Sequence, residues 1–398
     1  MEFIEKRASE LYTCSSGLSK SADQFGFGYP FLSYKDIFHN YYVPDELETL
    51  VNSTDKERDT CSVRRGDVFL TRTSETTDEL GMSCVALKTI ENATFNGFAK
   101  RLRPITEEIV PEYAAYFFRS PYFRAQCMSM ASLITRASLN EGMIGRFKIR
   151  YPKDKKDQII IGEILNNYDE AIRVNEKRIQ VLESLVERVY RDWIIKSNAP
   201  GMNIKATVEQ NPKGWVVSTQ KKMSIPETWH FGELKELGEF VRGKNITAAQ
   251  MVPGDIPVIS AGLEPSGFHN KSNVEGKSIT ISASGANAGF LKYHLSDIWA
   301  ADCSYYQNDR NIWFVYCSLK FLQPVLSNLQ CGAAQPHVYP KNINRLQIVI
   351  PTVDVIEQFC DIVNPVFTEI GILRKKNELI LNQRDLLLPR LLSGRLTV

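Results

Sequence analysis

Catalytic chemistry leaves recognisable spacings, and this chain of 398 residues offers few of them. Asp154-Lys155-Lys156 has the D-x-K ending of a metal-dependent nuclease. No upstream carboxylate completes the metal pair that such hydrolysis needs, so the run reads as solvated charge. There is no G-x-x-x-x-G-K-[ST] phosphate loop, no G-x-S-x-G elbow, no H-E-x-x-H helix and no G-x-G-x-x-G nucleotide loop. The Asn/Asp-Pro-Pro-aromatic tetrapeptide typical of amino-methyltransferases is missing as well. Eight cysteines (14, 61, 84, 127, 303, 317, 331 and 360) form no C-x-x-C pair, which points to reduced thiols and not to zinc or disulfides. Five dispersed histidines show no metal-ligand spacing. No residue is assigned to catalysis or to a metal.

Polar residues at strand ends suggest a different chemistry. LTRTSETTDELG (70–81) carries Arg72, Thr73, Ser74, Thr76 and Thr77, and its counterpart ISASGANAG (281–289) carries Ser282, Ser284 and Asn287. Lys20, Ser33, Tyr34, Lys35, Arg136 and Ser138 extend the set in the first half; Lys244, Ser260, Gln335 and His337 do so in the second. Hydroxyls, amides and arginine are the groups that reach base edges and phosphates, and glycine lets a backbone come close. Each is also, taken singly, an ordinary turn residue that bonds its own backbone. Gly285-x-x-x-Gly289 alone is too weak a signal for a phosphate cradle.

Composition sets outer bounds. With 43% hydrophobic and 24% charged residues, the chain suits two or more soluble domains with real cores. No apolar run reaches membrane-spanning length, and the opening MEFIEKRASELY lacks the basic-then-apolar layout of a secretion signal, so a cytoplasmic setting without membrane contact is expected. A net charge of +2 leaves nucleic-acid binding to local concentrations of positive charge.

Two helices must position these loops. In 157–195, Leu165, Ile172, Ile179, Val186 and Trp193 form one column in sevens, and Ile161, Tyr168, Asn175, Leu182 and Val189 form a second. A seam this narrow suits one partner helix better than a broad core. Residues 359–391 repeat the pattern, with Val363, Ile370, Asn377, Arg384 and Leu391 in one column and Phe359, Val366, Leu373, Ile380 and Leu387 in the other. A shift of 198 positions superposes the columns, and FKIRYP (147–152) before one helix answers LQIVIP (346–351) before the other. This is an internal duplication. An antiparallel register in which facing residue numbers sum to 552 stacks Leu165 on Leu387, Ile172 on Ile380, Ile179 on Leu373, Asn175 on Asn377 and Trp193 on Phe359, and sets Tyr168 against Arg384 as a cation–π pair.

The expected fold class is α+β: two mostly-β domains, each followed by a long helix, the helices packed as an antiparallel coiled coil with an internal pseudo-two-fold repeat. The segments are domain 1 (1–155), a first long helix (156–196), a linker (197–214), domain 2 (215–355) and a second long helix (356–398). VRGKNI (241–246) answers SSGLSK (15–20), DIPVISAG (255–262) answers GYPFLSYK (28–35), and EGKSITISASG (275–285) answers RGDVFLTRTSE (65–75). A framework kept while its loops change suits two binding modules with different targets.

This layout resembles the DNA-specificity subunit of type I restriction–modification systems over essentially the whole chain. The closing LLLPRLLSGRL (386–396), the run ILNNYDEAIRVNEKRIQVLE (164–183) and NPKGW (211–215) carry the resemblance most specifically. GLSKSADQFGFGYPFLSYKDIF (17–38) and CSVRRGDVFLTRTSETTDELGMSCVALK (61–88) are similar to one class of target-recognition domain in that family. The resemblance implies that each β domain reads half of a split, asymmetric site on double-stranded DNA, with the helix pair as a ruler between the halves. It also implies two modification subunits docked on the helices, supplying S-adenosylmethionine and adenine methylation. Two restriction subunits would add ATP- and Mg-dependent translocation and cleavage, leaving this chain with no cofactor and no reaction of its own. One departure concerns the start: the first domain lacks the Gly-Trp opening of the second, which leaves either a shorter opening strand or a helical contact surface for residues 1–12. Two other readings are a stand-alone metal-dependent nuclease and a non-catalytic protein-binding scaffold.

Overall fold

The run Val68–Thr71, all buried, is apolar and β-branched enough to lie inside a sheet. In the computed structural model it does, within a four-stranded sheet ordered Tyr12–Ser16, Ala99–Pro104, Val68–Thr71, Ser83–Val85. The structure describes residues 1–74, 79–130, 132–133, 137–200, 206–210, 222–329 and 337–398. Contacts divide the chain into two units, 1–174 with 377–398 and 175–376. Each long helix therefore contributes to both units and does not stand apart as a separate segment.

A second sheet in the first unit orders Leu50–Val51, Phe25–Leu32, Ile90–Phe95 and Ser62–Val63. Its middle pair is parallel, with Phe31 beside Thr94 and Leu32 beside Phe95. The strand Phe3–Arg7 pairs antiparallel with Lys148–Pro152. Of the two arrangements left open for residues 1–12, the opening strand is the one formed; only Ala8–Leu11 make a helical turn.

The second unit repeats the main sheet of this plan, with three strands in place of four beside it. Val241–Arg242, Cys303–Tyr306, Ser278–Ser282 and Leu291–His294 make the four-stranded sheet, with Gly267–His269, Ile256–Ile259 and Trp299–Ala300 beside it. Val258 lies parallel to Trp299 as Phe31 does to Thr94, and His230–Glu233 pairs with Gln347–Ile350. One glycine per unit fixes a shared crossing. A Cβ on Gly17 would stand 2.5 Å or less from the carbonyl oxygens of Phe95 and Asn96, and on Gly243 within 2.6 Å of those of Ala300 and Ala301. The segment expected as a linker includes a strand, Ala206–Gln210, paired with Lys222–Pro226; its Thr207-Val208 suits an extended backbone.

The long helices run Lys155–Tyr190 (36 residues, then a π turn at Arg191–Ile195) and Val353–Leu392 (40 residues). Asp154, read as a charge run, caps the first: its Oδ1 accepts from the Lys156 N–H at 2.9 Å. Both seam columns are buried or half-buried throughout, while Val181, Leu185, Ile372 and Leu379, off the seam, are exposed. Within the second unit Trp193 meets Phe359, ring centroids 6.2 Å apart, and Arg178 and Arg374 bond Glu369 and Glu183 at 2.9 and 2.8 Å. Within the first, Leu165 packs in one cluster with Leu388 and Leu391. Arg384 does not pair with Tyr168 as expected. Its guanidinium lies 5.3 Å from the Tyr41 ring centroid and bonds Asp169, because a carboxylate one position along offers the charge a stronger partner than a ring.

Candidate nucleic-acid interface

Chain segments far apart in sequence converge at one end of the first four-stranded sheet. The backbone leaving Val68–Thr71 enters Thr73-Ser74, which pairs antiparallel with Ala137-Ser138. Leu139 N–H donates to the Arg72 carbonyl at 2.9 Å. Tyr34, just past the parallel strand, donates its hydroxyl to the Thr73 carbonyl at 3.3 Å. Burial pushes the Tyr34 pKa up, so the group stays a protonated donor. Arg72, Thr73 and Ser138 then line one open hollow with Lys100, Asn140 and Glu141. Arg72 Nε is buried with no hydrogen-bond partner among the described residues.

Lys100 was not legible as a site residue. It sits mid-strand, nearly buried, and its Nζ reaches Glu141 at 2.6 Å and Ser16 Oγ at 2.8 Å. Only strand pairing brings it beside Arg72. The remaining expected residues of this half divide. Ser33 caps the helix Tyr34–His39, accepting from Asp36 N–H at 3.2 Å, and so fills the ordinary turn role. Lys35 is exposed, and Lys20 is held by Glu57 at 2.7 Å. Ser74 Oγ donates to Glu79 at 2.9 Å. Arg136, Thr76 and Thr77 lie outside the described residues.

The second unit assembles the corresponding place from different side chains. Ser282, which stands where Arg72 does, donates through Oγ to the Ala261 carbonyl at 3.1 Å, and Ala261 stands where Tyr34 does. Ser284 forms a backbone bridge with His337, as Ser74 does with Ala137. Ser260 Oγ lies 3.1 Å from Ser266 Oγ, and the His337 ring stacks near Tyr339. Lys244 is exposed, with its backbone bonded to Ala300 and to the Trp299 indole. Asn287 closes the turn Gly285–Asn287. Gln335 lies outside the described residues. Two further groups, Arg242 and Asp302, were missed; Asp302 bonds both Arg242 and Ser284.

Among the described residues no three His, Cys, Asp or Glu side chains gather to hold a metal ion, and no helix is long and apolar enough to cross a membrane. Each unit thus presents its own polar surface at the ends of matching strands of its four-stranded sheet.

Comparison with known proteins places the chain in a family. The model described as the type I restriction modification DNA specificity domain matches residues 10–184 and again 226–382, once in each half, and the chain belongs to this family. Its role is to confer DNA sequence specificity. A type I restriction enzyme specificity subunit of Methanocaldococcus jannaschii, MjaIX, is 23% identical over 99% of this chain and 92% of its own length. The HindI specificity subunit of Haemophilus influenzae is 18% identical over 92% of this chain and 94% of its own. In fold the chain is similar to the crystal structure of a type I restriction–modification S subunit from M. genitalium, with a TM-score of 0.62, 15% identity and coverage of 98% and 96% of the two chains.

Proposed function

We propose that this chain reads a bipartite, asymmetric site on double-stranded DNA, one half per unit, for a type I restriction–modification assembly. The observation that carries this reading is the repeated strand plan with unlike side chains at matching positions: Arg72, Thr73 and Tyr34 in one unit, Ser282, Ala283 and Ala261 in the other. One framework with two polar surfaces specifies two different half-sites. Lysines and arginines hold the phosphates, and loop hydroxyls and arginine read the base edges.

The two long helices act as the spacer, packed antiparallel along their length with Asn175 facing Asn377 and the two halves related by a pseudo-two-fold. The buried seam columns and the Trp193–Phe359 contact support that register. Two modification subunits dock on this pair and bring S-adenosylmethionine; two restriction subunits bring ATP and Mg. The chain itself binds no cofactor, carries out no reaction and works in the cytoplasm. Co-purification with a methyltransferase, a salt-titrated DNA-binding assay and mapping of methylated adenines test this together. A split motif methylated only when the chain is present is the expected result. Mg-dependent cleavage by the isolated chain would count against the whole reading.

A further inference from the structure

We infer that Arg242 reads a guanine in the half-site of the second unit, held in reading position by Asp302. The inference rests on the DNA-recognition reading above and assigns one base contact within it.

Arg242 ends the short strand Val241–Arg242, and its backbone pairs with Ser304. Its Nη2 donates to Asp302 Oδ1, and the other carboxylate oxygen, Oδ2, accepts the Ser284 hydroxyl. Asp302 is anchored in turn by its carbonyl, which accepts the Ala283 N–H at 3.3 Å. Both carboxylate oxygens are therefore engaged by the protein, and Asp302 acts as a buttress. Arg242 keeps 40% side-chain exposure, and Nη2 carries a second hydrogen beyond the one given to Asp302, so one two-donor face of its planar fork stays open to a ligand. An arginine fixed at its far edge by a carboxylate loses little freedom on binding, and a fixed fork matches guanine O6 and N7. An exposed, unbuttressed arginine at the same place would suit a phosphate equally well.

The pair is confined to one unit. Gly17 and Gly243 occupy the same crossing; counting from them puts Ser16 in the place of Arg242, strand register puts Gly17 there, and the parallel strands put Gly97 in the place of Asp302, so the first unit has neither side chain. The guanine contact thus belongs to one half-site alone.

The test is selection from randomised duplexes by the full-length chain with its modification subunits, comparing wild type with Arg242→Ala, Arg242→Lys and Asp302→Asn. Wild type should enrich guanine at one position of one half. Arg242→Ala and Arg242→Lys should each lower that preference about 5- to 150-fold, leaving the other half unchanged. Asp302→Asn should lower it less. A uniform loss of affinity across sequences with the salt slope reduced by about one would make Arg242 a phosphate contact and overturn the assignment. So would an unchanged motif in a variant that melts like wild type. If wild type selects no split motif at all, the recognition reading falls, and this assignment with it.

Discussion

Arg384, on the second long helix, bonds Asp169 on the first, and Asp169 in turn accepts the Tyr116 hydroxyl at 2.6 Å. The arginine side chain is only 11% exposed and lies over the Tyr41 ring. Helix pair and β domain are therefore tied by one polar cluster within the first unit. Breaking a largely buried pair leaves a charge uncompensated, so Arg384→Ala should destabilise this unit by ~2–4 kcal/mol. Asp169→Asn, which still accepts from Tyr116, should cost less. Urea melts of the two variants check the order.

Gly17 and Gly243 should tolerate no side chain. A Cβ at either position falls well inside the contact distance to backbone carbonyl oxygens, which have no rotamer to give way. Alanine at each should destabilise its own unit by ~1–3 kcal/mol or more, seen as faster proteolysis confined to that unit. Equal effects in both units from a single substitution would contradict the assignment.

Acid should weaken the second unit through His294. Burial first, then Lys292, holds its pKa down to about 3 from 6.5, with Thr280 Oγ1 2.9 Å from Nε2. The folded form keeps the ring neutral while the unfolded chain takes up a proton below pH 6.5. Its contribution is complete above that pH and is lost progressively as pH drops toward 3. His294→Gln should flatten that slope in urea melts between pH 7.5 and about 5.

Arg72→Ala should change one half-site only, lowering preference there by about 1–3 kcal/mol. Sequence selection gives the readout, and equal loss in both halves would argue against it.

Seven residues inserted at the same level of both helices should lengthen the spacer by about 10 Å, or about three base pairs, and leave both half-site sequences as they were. Methylation mapping of the variant measures the gap directly.

Much of this was legible in the residues because hydrophobic periodicity is local. A seven-residue repeat in each helix, the matching FKIRYP and LQIVIP runs and the apolar strand VFLT each report on their own neighbours, so the duplication and several of the strands could be read from spacing, though not which strands pair. Arg72, Thr73 and Ser138 each stand out within a single loop, and the fold brings them to one hollow.

The partners of charged side chains were decided only by the tertiary structure. Arg384 took Asp169 over Tyr168, Ser33 turned to capping its own helix, and Lys100, Arg242 and Asp302 carried no sequence signal at all. Periodicity tells which face of an element is buried; it does not tell which distant strand lies beside it. Hydrogen bonds and ion pairs are short-ranged and directional, so their choice follows strand pairing and turn geometry, and both of these appear only when the chain has folded.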